Sequence, residues 1–269
     1  METSNRQGHK KLSVIIVNFQ SKHHLGKCLA SIAEKIKRKI DTEIIIINND
    51  CNEDLESVVS CFSDIRLINQ EKNIGFGTAN NLGAKSAQGE FILFLNPDTE
   101  ILSKDIGRVL EEFDANEEIG IIGSGLIDEE GEAQEWGAGS ETGLWDILRN
   151  NAGFPKSRKI WRSKKKIMAD WVSAAALFMP RKAFLDVLGF DESIFMYFED
   201  MDLCKRVRRG GKKVVFFPEF KVKHICGGSS HSLKKQKKSY YNSQGYYFEK
   251  HKSRLQCHLL RILRCALVK

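Results

Sequence analysis

The sequence predicts an α/β protein built on a doubly wound, mostly parallel sheet, closed by a basic helical tail. Two observations carry this. Apolar runs of strand length (LSVIIVNF at 12–19, EIIIIN at 43–48, IRLIN at 65–69, EFILFLNPD at 90–98) alternate with segments of helical periodicity. The runs are continuous rather than alternating, as expected of parallel strands covered on both faces. In such sheets ligands sit beyond the carboxyl ends of the strands. The polar residues at those ends, Asn18, Asn48 to Asp50 and Asn96 to Asp98, are expected to converge on one crevice.

In chain order, Leu25, Cys28, Leu29, Ile32 and Ile36 mark the first helix. A short helix precedes 65–69, and NIGFGTANNLGAKSAQG reads as a glycine-bearing turn running into a helix. Residues 103–114 follow as a helix and 119–127 as a strand. Residues 128–167, rich in Gly and charge, read as an irregular lobe over the site. Trp171 to Met179 is expected as one strand, Arg181 to Leu188 as a helix, and Glu199 to Arg209 as a helix closed by Gly210-Gly211. Val214 to Phe217 and Lys221 to Ile225 are expected as two short strands.

The composition excludes several classes. With 42% hydrophobic and 29% charged residues the chain is globular rather than disordered. Its net charge of +7 is concentrated: residues 231–269 hold ten Lys/Arg against Glu249 alone, leaving 42 − 10 = 32 bases and 35 − 1 = 34 acids in 1–230. The body is thus slightly acidic and carries no recognition motif, which argues against a nucleic-acid partner. Seven cysteines without a C-x-x-C pair point away from a disulfide framework or structural zinc and toward a reducing compartment. Met1 to Lys11 is polar, so no secretory leader is expected, and no apolar run reaches the roughly 18–20 residues of a spanning helix.

Several residues carry chemistry, each with a plainer reading beside it. Asn96-Pro97-Asp98 ends a strand; Asp98 there suits a hard divalent cation on oxygen ligands, although all three residues are also ordinary turn formers. Glu199, Asp200 and Asp202 open a helix, where acids complement the macrodipole. Three acids after the apolar MYF exceed that need, and partial desolvation raises a carboxylate toward a useful general base. Gly75, Phe76, Asn80 and Asn81 allow close approach of a diphosphate or ribose at a helix start, or form a plain junction. His224 is either structural or completes a metal site with Asp98. Trp171 is either core or a platform for a sugar or base.

Together, LSVIIVNF, EIIIINND, NIGFGTANN, GEFILFLNPDT, DWVSAAALF, GFDESIFMYFEDMDLCKRVRRGG and VKHICGGS resemble, in content and order over about residues 12–230, the family-2 inverting glycosyltransferases of GT-A fold. The resemblance is to the rhamnosyltransferase-like branch that builds bacterial surface polysaccharides. It implies Asp200 as catalytic base, with Glu199 beside it. It implies Asp98 and His224 at a Mg2+ or Mn2+ ion, Asn96 in the first position of a DxD-type motif, and Asn48 and Asn49 at the base and ribose. Asn18, Gly75, Phe76, Asn80, Trp171 and Asp202 complete the expected substrate and nucleotide residues. Asn48 stands where the family usually has Asp, and Ala174 where the branch commonly has glycine, narrowing the sugar pocket. The implied organisation is a polar segment (1–11), a GT-A domain (12–230) and a helical tail (231–269). Within the domain, 12–127 would form the nucleotide-sugar-binding half and 168–230 the catalytic and acceptor half. A dTDP-rhamnose donor and a polyprenyl-diphosphate-linked or other glycan acceptor follow. A UDP- or GDP-sugar donor is the alternative, and a scaffold that binds sugar nucleotide without turnover is the non-enzymatic one. A nucleotidyltransferase is disfavoured, because VNFQSKHHLG lacks a glycine-rich basic loop.

In the tail, Arg254, His258, Arg261 and Arg264 recur at helical spacing beside Leu255, Leu259, Leu260, Ile262, Leu263 and Leu267. Such a helix suits an anionic membrane surface, placing the protein in the cytoplasm at the inner face of the plasma membrane. Packing on the domain, or on a second subunit in a homodimer, is the alternative.

Overall fold

The computed structural model describes residues 11–225 and 233–267; the rest, including the Gly-Ser stretch after Ile225, lies outside the described residues. The expected architecture is present. The first half runs β1 (Leu12–Asn18), α1 (Lys22–Ile32, continued by a π-helical turn over Ala33–Lys37), β2 (Thr42–Asn48), α2 (Glu56–Val59), β3 (Ile65–Asn69), α3 (Phe76–Ser86) and β4 (Phe91–Leu95). β3, β2, β1 and β4 pair in parallel, with Asn18 opposite Asn48 and Asn48 opposite Asn69. The continuous apolar runs have their predicted cause. Leu12, Val14 and Ile16 of β1 pack with α1 on one face, while Ile15 and Val17 enter a second core with α3 on the other.

The middle of the chain holds β5 (Thr99–Ile101), α4 (Ile106–Ala115), β6 (Ile119–Ile127), β7 (Ala138–Gly139), α5 (Leu144–Asn151), α6 (Arg158–Trp161) and β8 (Ile167–Met168). There follow β9 (Trp171–Val172), β10 (Ala176–Pro180), α7 (Arg181–Asp186), α8 (Glu199–Arg209) and β11 (Lys213–His224). The sheet order is β3-β2-β1-β4-β10-β6-β11-β5, with β8 also on β11. β10 runs antiparallel to β4 and β6, while β11 is parallel to β6.

Two expectations are corrected. The run 171–179 is not one strand: β9 pairs with β7 in a separate ribbon, and β10 enters the main sheet after a turn at Ser173–Ala175. There Ala175 N–H donates to Ser173 Oγ, and the Ala175 carbonyl accepts from Asn96 N–H. The two strands expected at 214–225 are one, with a register shift between Phe217 and Lys221, where Pro218 has no N–H to give. Glycines in β6 let the upper layer sit close. A Cβ on Gly123 would lie 2.3 Å from Val172 Cβ, and one on Gly120 would lie 2.6 Å from Val207 Cγ1 of α8.

The tail is α9 (Leu233–His251) and α10 (Arg254–Leu267). α9 lies on the domain, burying Tyr247 and Phe248. Its last turn is clamped by two carboxylates. Asp202, whose side chain is fully buried, meets His251 Nε2 at 2.6 Å, Lys250 Nζ at 2.7 Å and Arg206 Nε at 2.7 Å. Glu141, from the lobe, meets Lys205 and Lys252, each at 2.5 Å, and Arg208 at 3.2 Å. Burial alone would raise both carboxyls. The hydrogen bonds and charges of these partners outweigh it, holding Glu141 down at about 2 and Asp202 well below the usual carboxylate range. No helix among the described residues is long and apolar enough to cross a membrane.

Four outcomes follow. Gly123→Ala should destabilise by about 1–3 kcal/mol through overpacking against Val172, read as a lower urea midpoint. Gly26→Ala, whose Cβ would meet nothing closer than 3.9 Å, should be neutral or stabilising. Because the folded-state pKa values of Asp202 and Glu141 are depressed, their stabilisation is present above the unfolded carboxylate pKa of about 4 and is lost as pH falls below it. The thermal midpoint should therefore drop steeply on acidification from about pH 4. Asp202→Asn, which leaves buried cations under-compensated, should cost about 3–5 kcal/mol at neutral pH and flatten that drop.

Candidate active site

The site lies where the turn after β4, the end of β11 and the start of α8 meet. A cavity of about 830 Å3 opens there. Its lining includes Phe76, Asn96, Asp98, Trp171, Glu199, Asp200 and His224, seven of the residues singled out from the sequence. Ala174 lines it too, at the position where glycine was expected.

The backbone explains how two acids reach a semi-apolar cavity. Tyr197 and Phe198 both sit at positive φ (69° and 68°), in the left-handed region that costs a non-glycine residue about 1–3 kcal/mol. α9 holds them there. The Phe198 ring contacts Tyr240 and Tyr247 at 5.3 and 5.5 Å between centroids, and Ser243 Oγ donates to the Met196 carbonyl. Asp202 N–H donates to the Phe198 carbonyl, so α8 begins abruptly with Glu199 and Asp200 directed into the cavity. Upstream, the Phe195 carbonyl accepts from Phe76 N–H, and a Cβ on Gly75 (φ 87°) would press on Phe195 at 3.0 Å. Gly75 is thus required for the close passage of this turn.

Glu199 is buried, and its Oε2 meets no hydrogen-bond donor among the described residues. Its carboxyl is pushed up by burial and then by the charge of Asp200. Burial also raises Asp200, against the opposing pull of backbone N–H groups at Met201 and Ala174. Met201 N–H donates to Asp200 Oδ1 at 2.7 Å. Two adjacent carboxyls of this kind favour holding one proton between them, leaving a single desolvated carboxylate.

Across the cavity, His224 Nε2 lies 3.4 Å from Asp98 Oδ1, and Asn96 Nδ2 donates to the same nitrogen at 3.4 Å. His224 Nδ1 donates to Gln134 Oε1 at 2.8 Å, which fixes the tautomer leaving the Nε2 lone pair toward Asp98. Asn96 Oδ1 is buried with no partner among the described residues. Among those residues no cluster of three or more His, Cys, Asp or Glu forms a self-sufficient cage. An open set of one carboxylate, one imidazole and one orphaned amide oxygen fits a divalent cation that draws its other ligands from phosphate.

Other expected residues lie elsewhere. Asn18, Asn48 and Asn49 are buried and do not line the cavity. Their amides answer one another: Asn18 Nδ2 donates to Glu53, Asn48 Nδ2 to Asn69 Oδ1 and the Glu53 carbonyl, and Asn49 bridges Asn73, Ile74 and Gly75. The single crevice expected at the strand ends is therefore divided, with this amide cluster on one side and the cavity on the other. Asn80 donates to the Phe76 carbonyl within α3, and Asn81 ties α3 to the chain at Phe190 and Glu192. Asp202 points away from the cavity, into the clamp on α9. Conversely, Trp136, Tyr240, Tyr241 and Arg264 line the cavity, and Gln134 orients His224; of these only Arg264 stood out in the sequence, and there as part of the basic tail helix rather than of the site.

The raised carboxyls bear on stability. An acid whose folded-state pKa is raised favours folding below its unfolded pKa and opposes it increasingly as pH rises through the folded value. Glu199→Gln should therefore raise the thermal midpoint at pH 8 more than at pH 4, measured by calorimetry.

Comparison with known proteins identifies the family and the fold. The family model for "Glycosyl transferase family 2" matches residues 13–180. The chain is 25% identical over 232 residues to an N-acetylglucosaminyl-diphospho-decaprenol L-rhamnosyltransferase of Mycobacterium tuberculosis, covering 79% of this chain and 75% of that one. It is 25% identical over 168 residues to the rhamnosyltransferase WbbL of Escherichia coli K12 (59% and 64%). It also resembles the solved structure of GalNAc-T7 with UDP, GalNAc and Mn2+ (TM-score 0.65, 16% identity, 90% of this chain and 48% of that one). A second solved structure, a Pyrobaculum calidifontis mannosyltransferase with GDP-Man and Mn2+, gives a TM-score of 0.63 at 12% identity, over 91% and 64%. The fold is GT-A, and the chain belongs to glycosyl transferase family 2.

Proposed function

We propose that this glycosyltransferase is an inverting, divalent-cation-dependent enzyme. It moves a sugar, L-rhamnose from dTDP-rhamnose, onto a lipid-linked saccharide in cell-surface polysaccharide synthesis at the inner face of the plasma membrane. The observation that carries the reading is the desolvated pair Glu199 and Asp200 facing the same cavity as Asp98 and His224. The names of the mycobacterial and Escherichia coli relatives support the choice of sugar, and the polyprenyl diphosphate in the former supports the acceptor class.

Asp200 accepts the proton of the acceptor hydroxyl as that oxygen attacks the anomeric carbon, and one displacement inverts the configuration. Its raised pKa leaves it a better base than an exposed carboxylate while ionised near neutrality. Glu199 shares the pair's proton and faces substrate hydroxyls. Asp98, His224 and Asn96 Oδ1 would hold Mg2+ or Mn2+, which when bound supplies positive charge to the departing nucleoside diphosphate. Trp171 and Phe76 give apolar walls for sugar or base. The amides of Asn18, Asn48, Asn49 and Asn80 act at one remove, by shaping the turn that carries Gly75 and Phe76. Asp202 acts likewise, through α9.

The test is nucleoside-diphosphate release from dTDP-rhamnose and a panel of UDP- and GDP-sugars. It uses a polyprenyl-diphosphate-linked saccharide acceptor, with Mg2+, with Mn2+ or with chelator. Acceptor-dependent release from dTDP-rhamnose, abolished by chelator and reduced about 10²–10⁴-fold in Asp200→Asn, is expected. Full turnover by that variant would remove the base assignment; release only from a UDP- or GDP-sugar would replace the donor.

A further inference from the structure

α5 and α10 touch each other, and both border the cavity: Ile147 and Asn150 from α5, Leu260, Leu263 and Arg264 from α10. Their outer faces are unusual. Trp145 on α5 is 79% exposed, Phe154 just after it 71%, and Leu255, Leu259 and Ile262 on α10 are 67%, 39% and 54% exposed. Leu255, Leu259 and Ile262 follow the i, i+4, i+7 spacing of a single helical stripe, separate from the stripe through Leu260 and Leu263 that covers the cavity. Large apolar side chains gathered in this way mark an interaction surface rather than ordinary solvent-facing scatter.

The charge around them is mostly positive, Asp146 of α5 being the acid beside Trp145, where its carboxylate accepts from Gly143 N–H. From Ile147 to Ala169 the chain carries eight Lys/Arg (149, 156, 158, 159, 162, 164, 165, 166) and no acid, and α10 adds Arg254, Arg261 and Arg264. Lys166 is paired with Glu112, Arg261 with Glu249, and Arg264 is held by Gln244, which leaves most of the set facing outward. Apolar anchors ringed by cations on an otherwise slightly acidic body are complementary to an anionic lipid bilayer.

We propose that the outer faces of α5 and α10, with the Phe154 loop, seat the enzyme on an anionic bilayer. The wall of the cavity that these two helices form is then the side nearest the membrane, so that the sugar of a lipid-held acceptor enters while its lipid stays behind. The orientation rests on the acceptor class proposed above; the docking itself does not. α9 is the strut of this arrangement, bound to the domain through Asp202 and Glu141, and α10 is the contacting element.

The experiment is co-flotation of the purified full chain with phosphatidylethanolamine–phosphatidylglycerol vesicles and with phosphatidylcholine vesicles, at low and high salt and without substrate. The wild type should bind the anionic vesicles in a salt-sensitive manner and bind phosphatidylcholine weakly. Trp145→Ser combined with Leu259→Ser should lower binding at least about tenfold. It should leave the circular-dichroism melt, and turnover of a short-chain water-soluble acceptor, unchanged. Lys164→Gln with Lys165→Gln should weaken binding at low salt only. Equal flotation of wild type and the apolar double variant would overturn the proposal. So would a concentration-dependent dimer dissociated by the same two substitutions, which would assign the face to a second copy. Vesicle binding without any sugar transfer would leave this inference standing and sink the proposed function; transfer without vesicle binding would do the reverse.

Discussion

The structure depends on the burial of Asp202 against His251, Lys250 and Arg206. That cluster joins the first turn of α8 to the last turn of α9, and with Glu141 it sets where the C-terminal helices lie. α9 in turn supplies the rings and the hydroxyl that hold Tyr197 and Phe198 in a backbone conformation they would not adopt alone. The strained turn directs Glu199 and Asp200 into the cavity. A tail that looks appended in the sequence is thus part of the wall and the support of the site. Its outer helix also carries the exposed apolar stripe of Leu255, Leu259 and Ile262.

The site is costly to fold. Two carboxyls sit side by side in a desolvated pocket, one carboxyl oxygen and one amide oxygen lack partners among the described residues, and two non-glycine residues occupy the left-handed region. The compensation is electrostatic and nearby: the partners of Asp202, and of Glu141 in the lobe, hold those acids ionised, Asp202 within the same helical turn as acids that resist ionisation. Neighbouring carboxyls of one helix are driven in opposite directions by what each faces. That separation sets the pair facing the cavity apart from Asp202, which faces α9.

Much of this was legible in the sequence. The parallel half of the sheet followed from unbroken apolar runs, and the helix at 199–209 from its acids, its apolar spacing and its closing glycines. The resemblance in LFLNPDT and FMYFEDMDLC located Asp98, Glu199 and Asp200. Grouping Asp202 with them was the natural reading: two positions from Asp200 turn its side chain about 200° around the helix, and what it meets there, His251 and Lys250 of α9, is far off in the chain. The amides at 18, 48 and 49 read as ligand-binding groups because sequence cannot show that their N–H groups are taken up by Glu53, Asn69, Asn73 and Gly75. The lobe at 128–167 gave no period because its elements are two to eight residues long and are held by contacts distant in the chain. Gln134, Tyr240, Tyr241 and Arg264 reach the site only through such contacts.

The pH dependence of kcat/KM tests the central claim most directly, because it reads the ionisation of the buried pair in the free enzyme. An acid limb with an apparent pKa well above that of an exposed carboxylate, and absent from the residual rate of Asp200→Asn, is the result this account predicts. A limb at the ordinary carboxylate value of about 4, or one that persists unchanged in that variant, would contradict it.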